Sequence, residues 1–257
     1  MRLPELVGDL LFPPKCVSCG QMLPIPSDGA QTPYFCPDCR KDFERQVLAQ
    51  CPDCFAAYCD CRCQPAVMKR AGSAALRKLA PYGLENEPQV VEHLVHNIKT
   101  YPRGRVFRAC VEEWVPLLER EMEELRKKSS FSRTVITFLP RSRAKVLRYG
   151  FDQARELAMA LSKRTGYPMI PILKRVRDGK AQKSLKVEER RKNLRGAFAL
   201  ARDPAGCCVI LVDDIVTTGA GMAEAVRMLK RAKAAEVLCL SIAVTARRKP
   251  AKGKRSH

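Results

Sequence analysis

Apolar positions in this chain follow two periods. Over residues 86–98 and 104–128 they recur at helical spacing, and the second stretch closes on the charged run EREMEELRKK, a solvated face. Elsewhere they form unbroken runs rich in β-branched residues: VITFLP at 135–140, AFAL at 197–200, CCVILVDDI at 207–215 and EVLCLSIAVT at 236–245. Runs of that length and composition predict buried strands. Helical spacing returns over 152–165 and again from Gly219, in GAGMAEAVRMLKRA. The last two strands therefore flank a helix, a βαβ arrangement with parallel strands, and the predicted fold class is α/β.

Four stretches carry neither period. The first is rich in cysteine and proline and gives way to a new pattern within QPAVMKRAGS, residues 64–73. The second, 141–151, follows a strand and reads as an Arg-rich loop, with four basic residues between Arg141 and Arg148. The third, 174–195, holds ten basic and three acidic residues and reads as a mobile lid between two core strands, suited to closing over a charged ligand. The fourth is the basic tail RRKPAKGKRSH. The expected organisation is a zinc-ribbon module over 1–70, an α/β domain over 71–249 and a disordered basic tail over 250–257. No internal repeat is visible beyond the cysteine knuckles.

With 257 residues, 46% of them hydrophobic, the chain can bury a sizeable core. A net charge of +20 exceeds what solubility asks for and points to polyanionic partners, either phosphorylated small molecules or nucleic acid. No apolar run reaches the length of a membrane-spanning helix, and the opening MRLPELVGDLLFPPKC lacks a secretory cleavage pattern. The expected location is the cytoplasm. In that reducing compartment thirteen cysteines, nine of them between Cys16 and Cys63, argue for metal rather than disulfides.

Cys16, Cys19, Cys36 and Cys39 form two CxxC knuckles sixteen residues apart, the spacing of a four-thiolate zinc site. Four sulfurs leave no open coordination position, so the zinc is structural. CPDCFAAYCDCRC offers five thiols for a second site. Cys51 and Cys54 make a clear knuckle, and Cys61 and Cys63 are chosen over Cys59 to complete it. Swapped pairing between the two sets, or a single ion with spectator thiols, stays open at this point. Cys110, Cys207, Cys208 and Cys239 lie in apolar context and read as core residues.

The run Val209 to Ala220, VILVDDIVTTGA, joins a buried strand, two adjacent carboxylates and a hydroxyl-rich turn that opens a helix. Ligands of open α/β sheets bind at the carboxyl ends of strands, and free amides at a helix start accept phosphate. Asp213 and Asp214 are suited to sugar hydroxyls or a metal. The string resembles the phosphoribosyl pyrophosphate (PRPP) signature of type I phosphoribosyltransferases. That resemblance implies that Asp213 and Asp214, the catalytic pair, hold the ribose hydroxyls, and that Thr217, Thr218, Gly219, Ala220 and Gly221 wrap the 5-phosphate. Gly221 stands where such loops usually carry Ser or Thr.

Over nearly its whole length the chain also resembles the competence protein F (ComF) family of double zinc ribbon, phosphoribosyltransferase-like proteins. The motifs are LLFPPKCVSCG, LVHNIKTYPRGR, LPRSRAKVLRYGFDQA and AQKSLKVEERRKN. Carried over by position, Lys99, Arg141, Arg148, Gln153, Gln182, Arg190 and Asn193 become ligand-facing candidates. Tyr149, Asp152 and Thr100 depart from the family's pattern. The resemblance implies a twisted, mainly parallel sheet with flanking helices and a small hood, Mg2+ accompanying PRPP, and a role with single-stranded DNA and DNA-uptake proteins in natural transformation. The alternative is an active phosphoribosyltransferase in nucleotide metabolism, transferring ribose 5-phosphate to a base or amine. A third reading has the zinc ribbon and basic surfaces engage single-stranded DNA, with Tyr34, Phe35, Phe55 and Tyr58 available for stacking at a few points.

Overall fold

The computed structural model describes residues 13–26, 30–83, 88–100, 104–177 and 196–246. In chain order the elements are α1 (Pro37–Leu48), α2 (Ala66–Ala71), β1 (Ala75–Tyr82), α3 (Val90–Thr100), α4 (Gly104–Lys128), β2 (Arg133–Phe138), α5 (Arg143–Tyr149), α6 (Gln153–Thr165), β3 (Leu173–Arg175), β4 (Phe198–Leu200), β5 (Cys207–Val216), α7 (Ala220–Arg231) and β6 (Glu236–Thr245).

A four-stranded sheet runs in the order β1-β6-β5-β2. Every pairing is parallel, with Val209 beside Val135 on one side and Val237 on the other. Buried on both faces, β5 and β6 take the continuous apolar runs that such strands need. One face packs against α4 and α6, where Trp114 is fully buried and its indole N–H donates to the Ser241 carbonyl at 3.1 Å. The other face packs against α7 and α2 through Met68, Leu211, Ala223 and Val226.

Two expectations are corrected. The Arg-rich stretch after β2 is not all loop: Ser142 caps α5 by accepting from the Lys145 amide, and Gly150, at φ +78°, ends the helix. Nor do core strands flank the 174–195 segment. β3 and β4, the strands on either side of it in sequence, pair with each other as a separate antiparallel ribbon, Leu173 opposite Leu200. Residues 178–195 and the basic tail lie outside the described residues.

The cysteine-rich region shares its core with the sheet's helices. Phe35 stacks on Phe43 with ring centroids 5.0 Å apart, and both belong to the cluster that contains Leu94, Val111 and Trp114. Pro37 opens α1 directly after Cys36, so the second knuckle of the first set is also a helix start.

Candidate functional site

Asp213 and Asp214 follow the unbroken buried run Cys207–Val212 of β5. As consecutive strand residues they face opposite sides of the sheet. Asp214 is 6% exposed and meets two cations: Arg141 Nη2 lies 2.5 Å and Lys99 Nζ 3.5 Å from its Oδ2. Its Oδ1 accepts from the Ile215 amide at 2.8 Å, and Asp213 Oδ1 accepts from the Asp214 amide at 2.9 Å. The two carboxyls are driven apart in acidity. Burial, then the neighbouring Asp214 charge, raises Asp213 well above the usual carboxylate range. Burial pushes Asp214 the same way, but Arg141 and Lys99 overcome it and hold this carboxyl below its ordinary value. The pair thus offers one fixed anion and one group that readily keeps a proton.

Three elements deliver these partners. β2 lies beside β5, so Arg141, just past the end of β2, reaches Asp214 across 73 residues of sequence. Asp152 holds it there: one carboxylate oxygen accepts from the Arg141 amide at 2.9 Å while the other caps α6 through the Ala154 and Arg155 amides. This is what the acidic residue does where the family usually carries Asn. Lys99 comes from α3, which the cysteine-rich region grips at both ends. Gln46 of α1 accepts from the Val91 amide, and Asn97 donates to the Val17 and Ser18 carbonyls at 2.8 and 2.9 Å.

After β5 the chain turns through Thr217 and Thr218 into α7. Gly219 is the N-cap at φ +71°, and a Cβ there would lie 2.9 Å from Pro65 Cβ and Cγ. Only glycine fits both the backbone and the space. The Ala220 amide makes a long bond of 3.4 Å to Thr218 Oγ1, and the remaining amides of the first turn of α7 point past the helix end, where an anion is favoured. At Gly221 a Cβ would stand 3.3 Å from Leu139 Cδ2, a flexible neighbour.

The other sequence candidates divide. Arg148 is exposed and lies over the Tyr149 ring, with no contact to the carboxylate pair. Gln153 opens α6 and is fully buried, with neither amide atom hydrogen-bonded. Gln182, Arg190 and Asn193 lie outside the described residues.

The cysteines gather into two tight groups. The sulfurs of Cys16, Cys19, Cys36 and Cys39 lie within 4.8 Å of one another, as do those of Cys51, Cys54, Cys61 and Cys63. Cys59 stands apart, its carbonyl accepting from Arg77 Nη2 at 2.6 Å. Four converging sulfurs fit tetrahedral zinc in each case. Around the first group burial would raise the Cys16 thiol, but the Cys36, Cys19 and Ser18 amides together lower it toward the thiolate that a metal requires. Sequence reasoning missed Lys78, a fully buried lysine on β1 whose Nζ contacts the second group. The adjacent cations Arg77 and Lys78 between apolar residues, in ALRKLA, are the signal that marks it. Of the aromatic residues near the knuckles, Phe35 and Tyr58 are buried and Tyr34 lies under Arg105, leaving Phe55 exposed at φ +62°.

Similarity to known proteins follows the same division. The phosphoribosyl transferase domain family matches residues 146–257, which include the Asp213–Gly221 segment. DNA utilization protein YhgH of Salmonella typhimurium is 29% identical over 202 residues, covering 76% of this chain and 85% of that protein. Competence protein F of Haemophilus influenzae is 35% identical over 94 residues, or 35% of this chain and 41% of that protein. The chain is similar to the ComF proteins. Its fold is that of the type I phosphoribosyltransferases, joined to a cysteine-rich amino-terminal region with two groups able to hold zinc. Two solved structures align with this ComF-like chain. The allosteric regulatory enzyme of purine biosynthesis covers 57% of it and 30% of its own length, at 20% identity and a TM-score of 0.34. Purine phosphoribosyltransferase from Pyrococcus horikoshii covers 55% of it and 91% of its own length, at 15% identity and a TM-score of 0.29. Scores that low add nothing to the assignment. Among the described residues no helix is long and apolar enough to cross a membrane.

Proposed function

We propose that this ComF-like protein binds Mg-PRPP, or a related phosphorylated ribose, and works on single-stranded DNA in the cytoplasm during natural transformation. The observation that carries the ligand is Asp214 with Arg141 and Lys99 at the carboxyl end of β5, beside the start of α7. The carboxylates accept the ribose hydroxyls. Thr217, Thr218, Gly219, Ala220 and Gly221 bind the 5-phosphate, and the magnesium travels with the pyrophosphate. Arg141 and Lys99, released from Asp214 as the sugar takes their place, meet the pyrophosphate charge. Arg148, Gln153, Gln182, Arg190 and Asn193 are the remaining ligand-facing residues of this reading. In this reading residues 1–70 are the zinc-ribbon module, 71–249 the phosphoribosyl domain and 250–257 a basic tail.

The names of the relatives, the charge of +20 and the exposed Phe55 support the DNA role. Titration calorimetry of Mg-PRPP into zinc-loaded protein tests the ligand. Micromolar binding is expected, and it is lost in Asp213→Asn/Asp214→Asn; equal binding by that variant rejects the site. DNA binding is tested by mobility shift against salt, where affinity for a single-stranded oligonucleotide falls steeply between low and moderate salt. An affinity unchanged by salt rejects the DNA role. Pyrophosphate release with an added nucleobase would mark turnover and establish an enzyme.

A further inference from the structure

The two four-cysteine groups share one order of burial. In each the first and third cysteines are buried, the second exposed and the fourth half-buried. What separates them is charge. Lys78, 1% exposed, donates from Nζ to the Cys61 sulfur at 3.2 Å, to the Cys61 carbonyl at 2.9 Å and to the Cys63 carbonyl at 2.8 Å. Three acceptors use its three N–H bonds. None of them is a carboxylate. A buried ammonium needs a counter-charge, and the anion that this geometry offers is a thiolate of the second group. Around the first group the sulfurs interact instead with backbone amides, the Ser18 hydroxyl and one another.

Four thiolates around a divalent zinc ion leave an excess of two negative charges. We propose that Lys78 is the charge-compensating residue of the second metal site. Its ammonium offsets half of that excess, and its N–H···S bond withdraws electron density from the Cys61 sulfur. A sulfur so engaged is a poorer nucleophile and a slower one to leave its metal. The second site is therefore the inert one. The first, equal in exposure but without an ammonium on its sulfurs, is the site where electrophiles and oxidants act. Because Lys78 belongs to β1, an edge strand of the sheet, the second metal also fastens the 51–63 segment over that edge.

The inference rests on both groups holding zinc, and the full zinc-loaded chain tests it. Bound zinc is counted first. N-ethylmaleimide is then added with a metallochromic dye, and alkylated cysteines are mapped by mass spectrometry over time. The parent is expected to release one ion fast, with modification at Cys16, Cys19, Cys36 and Cys39, and the other slowly. Lys78→Met accelerates the slow phase by about tenfold or more and leaves the fast one unchanged. Lys69→Met, at an exposed lysine, changes neither. Release of both ions from the parent at one rate, or earlier alkylation of the second group, overturns the proposal without recourse to any variant, so a Lys78→Met protein that fails to fold does not shelter it. Fewer than two bound ions rejects the zinc assignment itself, a separate failure.

Discussion

Gly219→Ala separates two costs that the structure assigns to one methyl group. The residue sits at φ +71°, where an L side chain costs about 1–2 kcal/mol. The new Cβ would also lie 2.9 Å from two carbons of Pro65 and 3.0 Å from Met68 Sδ. Proline cannot swing aside, so relief requires α2 or the turn to move, an overpacking cost of about 1–3 kcal/mol. Together they predict a loss of about 2–5 kcal/mol. Gly150 supplies the control: its φ is +78° and a Cβ there meets nothing within 4 Å. Gly150→Ala therefore carries the backbone cost alone. Urea unfolding of parent and both variants, fitted with a common slope, gives the two losses. The reasoning is refuted if Gly219→Ala costs no more than Gly150→Ala, because the contact with Pro65 would then carry no weight.

Two further outcomes concern the candidate site and one the core against the sheet. Gly221→Ser adds a hydroxyl to the first turn of α7 with only the mobile Leu139 Cδ2 at 3.3 Å to displace, so PRPP affinity by calorimetry should rise several-fold at unchanged or slightly greater stability; a fall in affinity refutes it. Asp213, its folded pKa raised, stabilises the fold while protonated and loses that contribution as pH climbs from the unfolded value of about 4 through the folded one. Asp213→Asn should consequently melt above the parent at neutral pH, a gap that closes toward pH 3, whereas Asp214, with its pKa depressed, contributes stability above about pH 4 that fades on acidification; a less stable Asp213→Asn at neutral pH contradicts this. Trp114→Phe removes the donor to the Ser241 carbonyl and part of a fully buried indole, and should cost about 2–4 kcal/mol in urea unfolding.

The legible parts of the chain are those whose burial is complete. β5 and β6 are apolar on both faces, so their runs stand out, and α4 and α7 carry long one-sided patterns. β1 was not foreseen because Arg77, Lys78 and Pro81 interrupt it. The cations are buried because the 59–63 carbonyls receive them, with Glu121 beside Arg77 and the Cys61 sulfur beside Lys78, and the proline is tolerated because β1 is an edge strand. α5 buries no residue, so no amphipathic pattern marks it. At the candidate site the adjacent carboxylates and the turn were local signals. The Arg141 and Lys99 contacts depend on which strands are neighbours and on where α3 is held, neither of which any local pattern encodes. The choice of Cys61 and Cys63 over Cys59 agrees with the grouped sulfurs, but it depended on a chain path that spacing leaves open.

The contacts of the cysteine-rich region explain why it is more than an appendage to the phosphoribosyl fold. Gln46 and Asn97 bind the two ends of α3 to α1 and to the first knuckle, and α3 is the element that presents Lys99 to Asp214. Pro65 and Met68 fill the space behind Gly219, so the linker that leaves the second group of cysteines forms the wall of the turn that opens α7. Lys78 and Arg77 bind the same region to the edge of the sheet. Three separate attachments thus run from cysteine-rich chain to the candidate site or the sheet beneath it. A region with two four-cysteine groups able to hold an ion, and with Phe35 and Phe43 in the shared core, bears here on a lysine, a glycine and a strand edge, features on which the proposed ligand site depends.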